Sequence, residues 1–339
     1  MLIAKNQEGN LVLALETCLK RKESYSCPGC QGVVLLRHGQ VMCPHFAHKS
    51  LQDCQFFSEN ESAQHLSLKA ALYKSLVNHG EKVSIEKVLS EMGQIADLFV
   101  GDSLALEVQC SRLSQQRLRE RTRAYHQAGY EVRWLLGEEL WLNGRLTDLQ
   151  RDFLYFTAKI GFHLWELDLK REEIRLKYLI YEDIFGKVYY LTKAWSLTEN
   201  LMTVLRFPYQ AEQVETYQVT QRKKVSHVIQ RELIGKNPRW MRRQEEAYLN
   251  GMNLLCLSDQ DFSPQVRFPE SKQGFVQIRQ SLEGFEKLFM QYYRKRHFSY
   301  RQTSSAQLQQ DALLRLIFHQ RNSRIASVEI GRASCRERV

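Results

Sequence analysis

No run of about 18 apolar residues occurs anywhere in the 339-residue chain, so a membrane-spanning helix is not expected. The opening stretch, MLIAKNQEGNLVLALE, lacks the basic start, apolar core and small-residue cleavage site of a secretory signal. Cysteine is scarce as well. Eight cysteines over this length cannot build the disulfide scaffold of a small secreted domain, and four of them cluster between Cys27 and Cys54 beside histidines. That distribution fits a reducing cytoplasm and a metal site.

What is present is an ordinary globular composition, 43% hydrophobic and 25% charged. The length favours two domains and a small extra module. The net charge of +10 is unevenly spread. Residues 1–150 hold 17 Lys+Arg against 17 Asp+Glu, and residues 151–339 hold 31 against 21. The densest section, RKKVSHVIQRELIGKNPRWMRR, has eight bases and one acid around Trp240. It reads as a solvated helix face or as a phosphate-backbone contact through Arg222, Lys223, Lys224, Arg239, Arg242 and Arg243. The last ten residues, IGRASCRERV, break the style of the chain and resemble the in-frame translation of a common sequencing adapter. Residues 330–339 are therefore set apart as an expected artefact.

Between Tyr25 and Cys54 a Cys27-Pro-Gly-Cys30 pair can aim two thiolates at one ion, and CPHFAH makes a second knuckle. Val33 to Val41 suggests a short hairpin turning at His38-Gly39. Zinc takes four N or S ligands. The expected set is Cys27, Cys30, His45 and His48, with Cys43 as the alternative and Cys54 as a distant reserve. A redox CxxC, or reduced cysteines packed as small hydrophobes, is the competing reading.

From Ser58, Leu66, Ala70, Tyr73 and Val77 form a helix-period stripe ending near Gly80, with Glu61, His65 and Lys69 on one face. Ser58 and Glu61 also fit a capping box. Three strands are expected next, over 83–88, 95–100 and 104–110, the last two joined by a tight turn at Gly101–Ser103. That loop sets Asp97 opposite Glu107, with both on the face of Gln109 and away from Ala96, Leu98, Val100, Leu104, Leu106 and Val108. Opposed like charges repel unless a cation sits between them, so the hairpin either holds a divalent metal or turns its acids to water. A helix from near Ser114 to Gly129 and a strand YEVRWLLG complete a βαβ unit. Arg117, Arg121 and Tyr125, four residues apart on that helix, can face the carboxylates, DNA phosphates or solvent.

With CPGC, CPHFAH, ESAQH and IADLFV…ALEVQCS in this order, the chain resembles the competence protein CoiA family, within the PD-(D/E)xK nuclease superfamily. The resemblance implies a mixed α/β fold with three parts: a zinc-ribbon-like module over 1–57, a restriction-endonuclease-like PD-(D/E)xK core over 58–150, and a mainly helical basic C-terminal domain over 151–329. It further implies structural Zn2+, catalytic Mg2+ or Mn2+ on Asp97 and Glu107, and Glu61 as the additional helix carboxylate. The expected role is processing of incoming DNA, single-stranded or branched, for recombination in the cytoplasm. The alternative is a silent adaptor that binds single-stranded DNA and a recombination protein such as RecA. Gln109 stands where the superfamily has lysine, and an amide orients water but cannot neutralise charge. Lys69 or Arg121, from neighbouring helices, is the expected substitute. Residues 286–302, EKLFMQYYRKRHFSYRQ, mix rings and bases as single-stranded nucleic-acid surfaces do, or pack as a basic amphipathic helix.

Overall fold

The computed structural model describes residues 1–16, 19, 23–39, 42–50, 54, 61–158, 160–206, 216–220, 222–290 and 305–309. Ser58, Val41, residues 291–302 and the tail 330–339, which carry expectations from the sequence, lie outside the described residues.

The N-terminal part is a five-stranded sheet in the order β2-β1-β3-β4-β5, built from β1 (Ile3–Lys5), β2 (Leu11–Leu13), β3 (Tyr25–Ser26), β4 (Val33–Arg37) and β5 (His45–His48). Met1, Ala4, Ala14, Tyr25, Val34 and Phe46 close a small core with Cys27 and Cys54, and the Tyr25 and Phe46 rings lie 5.0 Å apart. The hairpin expected over Val33 to Val41 is wider than its sequence suggested. Residues of β4 pair with β5, Arg37 against His45 and Val34 against His48, so the second arm is the CPHFAH knuckle itself.

The central sheet runs β13-β12-β11-β9-β8-β7-β6. Its strands are β6 (Val83–Leu89), β7 (Gln94–Val100), β8 (Leu104–Gln109), β9 (Glu131–Leu136), β11 (Gly161–Asp168), β12 (Glu173–Asp183) and β13 (Val188–Ser196). The short β10 (Tyr155–Thr157) pairs with β11, and β15 (Val266–Arg267) with β12. The β7–β8 hairpin has the expected register, Leu98 against Leu106 and Val100 against Leu104, with Gly101 at φ 58 in the turn. α2 (Gln115–Gln127) starts at a Ser114 cap and crosses from β8 to the parallel β9. α1 (Ala63–Asn78) starts later than expected, because Ser62 accepts from the His65 amide as its N-cap. Glu61 therefore precedes the helix. Leu66, Leu68, Ala70, Leu72 and Leu76 are buried along it, whereas Val77 faces outward.

The division expected at residue 150 falls elsewhere. β9 and β11 pair in parallel, so residues 155–196 extend the same sheet. One unit comprises Met1–Glu212 and Val266–Ser281, and the other Gln213–Gln265 and Leu282–Val339. The returning segment 266–281 is bound to the first unit by polar and aromatic contacts. Arg119 of α2 donates to the carbonyls of Gln273 (3.1 Å) and Gly274 (2.6 Å), and Gln277 donates to Thr122 Oγ1 (3.1 Å). Phe268 meets Phe162 at 5.2 Å. This unit also holds two short helices, α3 (Asp148–Asp152) and α4 (Leu201–Arg206).

The second unit holds β14 (Thr216–Thr220), which pairs with β16 (Ser305–Gln309), and the helices α5 (Val225–Ile234) and α6 (Pro238–Leu249). Val225, Ile229, Leu233, Trp240 and Ala247 are its buried apolar positions on these helices. No helix among the described residues is long and apolar enough to cross a membrane.

Candidate cation sites

Among the described residues, two clusters bring metal-ligating side chains together. The first joins Cys27, Cys30, His48 and Cys54, whose ligand atoms all lie within 4.8 Å of one another. Cys27 Sγ and Cys54 Sγ are 4.0 Å apart, and Cys30 Sγ and His48 Nε2 are 3.4 Å apart. A tetrahedral zinc with bonds of about 2.3 Å needs ligand separations of about 3.8 Å. The turn is shaped for sulfur: Gly29 N donates to Cys27 Sγ and Gly32 N to Cys30 Sγ, each at 3.4 Å. A Cβ at Gly32 would meet Cys30 Sγ at 3.2 Å, so the glycine keeps the backbone close. Burial pushes the Cys27 thiol up to about 12 and lowers the His48 imidazole, leaving the histidine neutral.

Two of the expected ligands are not in this cluster. His45 and His48 are three residues apart on β5, and odd spacings on a strand point to opposite faces. His48 shares the buried face of Phe46, whereas His45 Nδ1 lies 2.9 Å from the Cys43 carbonyl. Cys43 is turned toward Ser67 of α1, and burial raises its thiol. Cys54 takes the fourth position.

The second cluster joins Glu61, His65 and Asp97. His65 Nδ1 is 3.3 Å from Glu61 Oε1, and its Nε2 is 3.1 Å from Asp97 Oδ2. Lys69, 1% exposed, ion-pairs with Glu61, with Glu86 at 2.6 Å and with Asp97 at 3.5 Å. The Met1 α-amino group lies 2.7 Å from Glu61 Oε2. The i, i+4 and i+8 face of the helix and its approach is thus formed, and β7 completes it. Burial opposes ionisation of both acids, but the cations win. Lys69, the Met1 amine and His65 bring Glu61 down to about 2, and His65, Lys69 and Arg121 hold Asp97 below its ordinary range. Burial pulls His65 down, yet Asp97 raises it above its ordinary value overall.

Glu107 is beside this group but is held by other partners. Its Oε1 accepts from Arg121 Nη2 at 2.8 Å and from the Tyr125 hydroxyl, and Asp97 Oδ2 accepts from Val108 N at 2.9 Å. Burial is the main reason that Glu107 rises to about 7, with the Asp97 charge adding and Arg121 and Tyr125 opposing. Asp97 and Glu107 thus keep different cationic partners, His65 and Lys69 beside Asp97 and Arg121 beside Glu107. Gln109 donates to the Ser111 carbonyl at 2.8 Å, away from the acids. Of the α2 stripe, Arg121 and Tyr125 reach Glu107, and Arg117 is exposed.

Glu86 and the place of His65 between Glu61 and Asp97 are what sequence reasoning missed. In β6 Glu86 falls between Ile85, paired with Leu98, and Lys87, paired with Ala96, which places it laterally beside Asp97. No local pattern marks it, because its partners Leu2 and Ile3 lie more than 80 positions away.

In the second unit Arg222, Lys223, Lys224 and Arg242 are exposed, and Arg239 and Arg243 are half-buried. Trp240 is buried, with the Arg243 guanidinium 5.3 Å from its ring, so this ring is packed rather than offered to a base.

Residues 61–227 match the family model described as competence protein CoiA, nuclease-like domain, and residues 14–57 match competence protein CoiA, N-terminal domain. The competence protein CoiA of Bacillus subtilis (strain 168) is 32% identical over 122 residues, covering 35% of this chain and 32% of that protein. The match spans about a third of that relative's length. No solved structure matches the chain. With both of its domain models met in order along the sequence, the chain belongs to the competence protein CoiA family.

Proposed function

We propose that the chain is a metal-dependent DNA nuclease that processes incoming DNA during natural transformation and recombination in the cytoplasm. The observation that carries this reading is the convergence of Glu61, His65 and Asp97 beside Glu107, inside the region that matches a nuclease-like domain. Two carboxylates and an imidazole suit Mn2+ or Mg2+, and these three residues would hold the ion. Bound there, the ion would lower the pKa of a water and neutralise the scissile phosphate.

The chain's own residues do the remaining work. Lys69 ion-pairs with Glu61 and Asp97 and helps to keep both ionised, whereas the Gln109 side chain is turned to Ser111. Arg121 and Tyr125 fix the Glu107 carboxylate. Cys27, Cys30, His48 and Cys54 hold a structural Zn2+, since three thiolates and an imidazole suit that ion. Arg222, Lys223, Lys224, Arg239, Arg242 and Arg243 follow DNA phosphates.

A second reading, an adaptor that binds single-stranded DNA and a recombinase such as RecA without cutting, draws support from the side chain of Gln109, which is turned to Ser111. Cleavage of single-stranded, duplex and branched DNA with Mg2+ or Mn2+ separates the two. Asp97→Ala should lower the rate at least about 100-fold while DNA binding persists. Wild-type protein that binds DNA and cuts no substrate supports the adaptor. Unchanged cleavage in Asp97→Ala rejects the site.

A further inference from the structure

Glu86 belongs to no expected motif, yet it is the most fully engaged carboxylate near the site. Its Oε1 accepts from Leu2 N (2.8 Å) and Lys69 Nζ (2.6 Å), and its Oε2 accepts from Leu2 N (2.8 Å) and Ile3 N (3.1 Å). It is 1% exposed and adopts φ 50, a left-handed conformation that a glutamate keeps only where its surroundings over-determine it. With its acceptor sites occupied by these donors, Glu86 is poorly placed to ligate a cation. What it does is hold Lys69.

Lys69 has three carboxylate partners, Glu61, Glu86 and Asp97. Two of them belong to the cluster proposed to take a divalent ion. A cation arriving between Glu61 and Asp97 competes with the Lys69 ammonium for the same oxygens, and Glu86 is the partner that keeps the ammonium occupied on the other side. The amides of Leu2 and Ile3 in turn fix Glu86, so the start of the N-terminal sheet reaches the site through it. We infer that Glu86 is a positioning residue: anchored by the Leu2 and Ile3 amides, it draws Lys69 back and leaves Glu61, His65 and Asp97 able to bind a divalent cation. This rests on the metal-dependent reading above.

The test is Mn2+ binding, measured on the full chain by the electron paramagnetic resonance signal of free Mn2+, with no turnover required. Glu86→Gln keeps the shape and removes the charge, so Lys69 falls back on Glu61 and Asp97. The expected result is Mn2+ affinity about tenfold weaker. The double variant Lys69→Met, Glu86→Gln removes the competing ammonium and should return affinity toward wild type, which a merely structural defect would not allow. Glu86→Asp, with the charge one methylene farther away, should give an intermediate affinity and serves if the Gln variant does not fold. Equal affinities in wild type and the Glu86 variants, or a double variant no better than Glu86→Gln, overturn the role while leaving the metal site standing. Wild-type protein that takes up no Mn2+ overturns the metal-dependent reading and this role with it.

Discussion

The two candidate cation sites lie within a hundred residues of one another in sequence and deal with charge in opposite ways. Around Cys27, Cys30, His48 and Cys54 the ligands are thiols and a neutral imidazole, and burial makes the Cys27 thiol harder to ionise. Around Glu61, His65 and Asp97 the protein carries its own cations, Lys69 and the Met1 amine, and both acids are ionised before any metal arrives. Removing one partner from such a buried ionic group costs about 3–5 kcal/mol, because the others are left uncompensated. A metal bound to the first cluster would add to its cohesion. The second is held together by its own ion pairs, and a metal would have to compete with them.

The largest effect expected from this contrast is loss of zinc. Metal binding contributes about 10–16 kcal/mol to isolated zinc-finger peptides, and the N-terminal core around Tyr25 and Phe46 is small. Cys54→Ala should lower zinc content well below that of wild type and lower the melting temperature, as a chelator should in the unaltered protein. His45→Ala should leave zinc content unchanged, because its side chain lies on the other face of β5. Elemental analysis beside thermal unfolding reads both. Zinc retained in Cys54→Ala and lost in His45→Ala would break the contrast at its metal-dependent side.

A smaller effect separates the carboxylates of the second site. Glu107 is raised from an ordinary value of 4.5 to about 7, so the folded state binds its proton more tightly than the unfolded state. Its stabilising contribution is complete below about pH 4.5 and is lost as pH rises through about 7, at most about 3 kcal/mol in all. Glu61, lowered to about 2, does the reverse: its contribution is present above about pH 4.5 and is lost as pH falls toward 2. Urea unfolding of Glu107→Gln beside wild type, from pH 4.5 to 8, should show the wild type losing stability relative to the variant as pH rises. Parallel curves would mean that Arg121 keeps Glu107 charged throughout, and the site would then be uniformly ionic.

Much of this second site could be read in advance because local rules govern it. The three-residue loop and the alternation of Ala96, Leu98 and Val100 determine the β7–β8 register, and four-residue spacing brings Glu61, His65 and Lys69 together. What escaped depends on distant parts of the chain. Glu86 reaches the site through the amides of Leu2 and Ile3, more than 80 positions away. The spacing of His45 and His48 suits a turn that would aim both at one ion, and only pairing with β4 shows that they diverge. The boundary near residue 150 was misplaced because the parallel pairing of β9 with β11 carries no local mark, and β11 is buried along all eight residues, Glu166 and Asp168 included.

His65 is where the two kinds of chemistry meet, a borderline nitrogen donor within an oxygen set. Imidazole favours Mn2+ over Mg2+, whereas carboxylates accept both, so the selectivity of the site should depend on this one side chain. His65→Asn keeps a polar group of similar reach but removes the imidazole between Glu61 and Asp97. The expected outcome is a Mn2+ preference narrowed about tenfold, or about 1.4 kcal/mol, measured by Mg2+ competition against bound Mn2+. Zinc content should not change, since Cys27, Cys30, His48 and Cys54 form a separate group. A preference that survives the substitution would leave His65 only as the hydrogen-bond partner of Asp97, and the second site would then be a purely oxygen-lined one, further from the thiolate centre than its geometry implies.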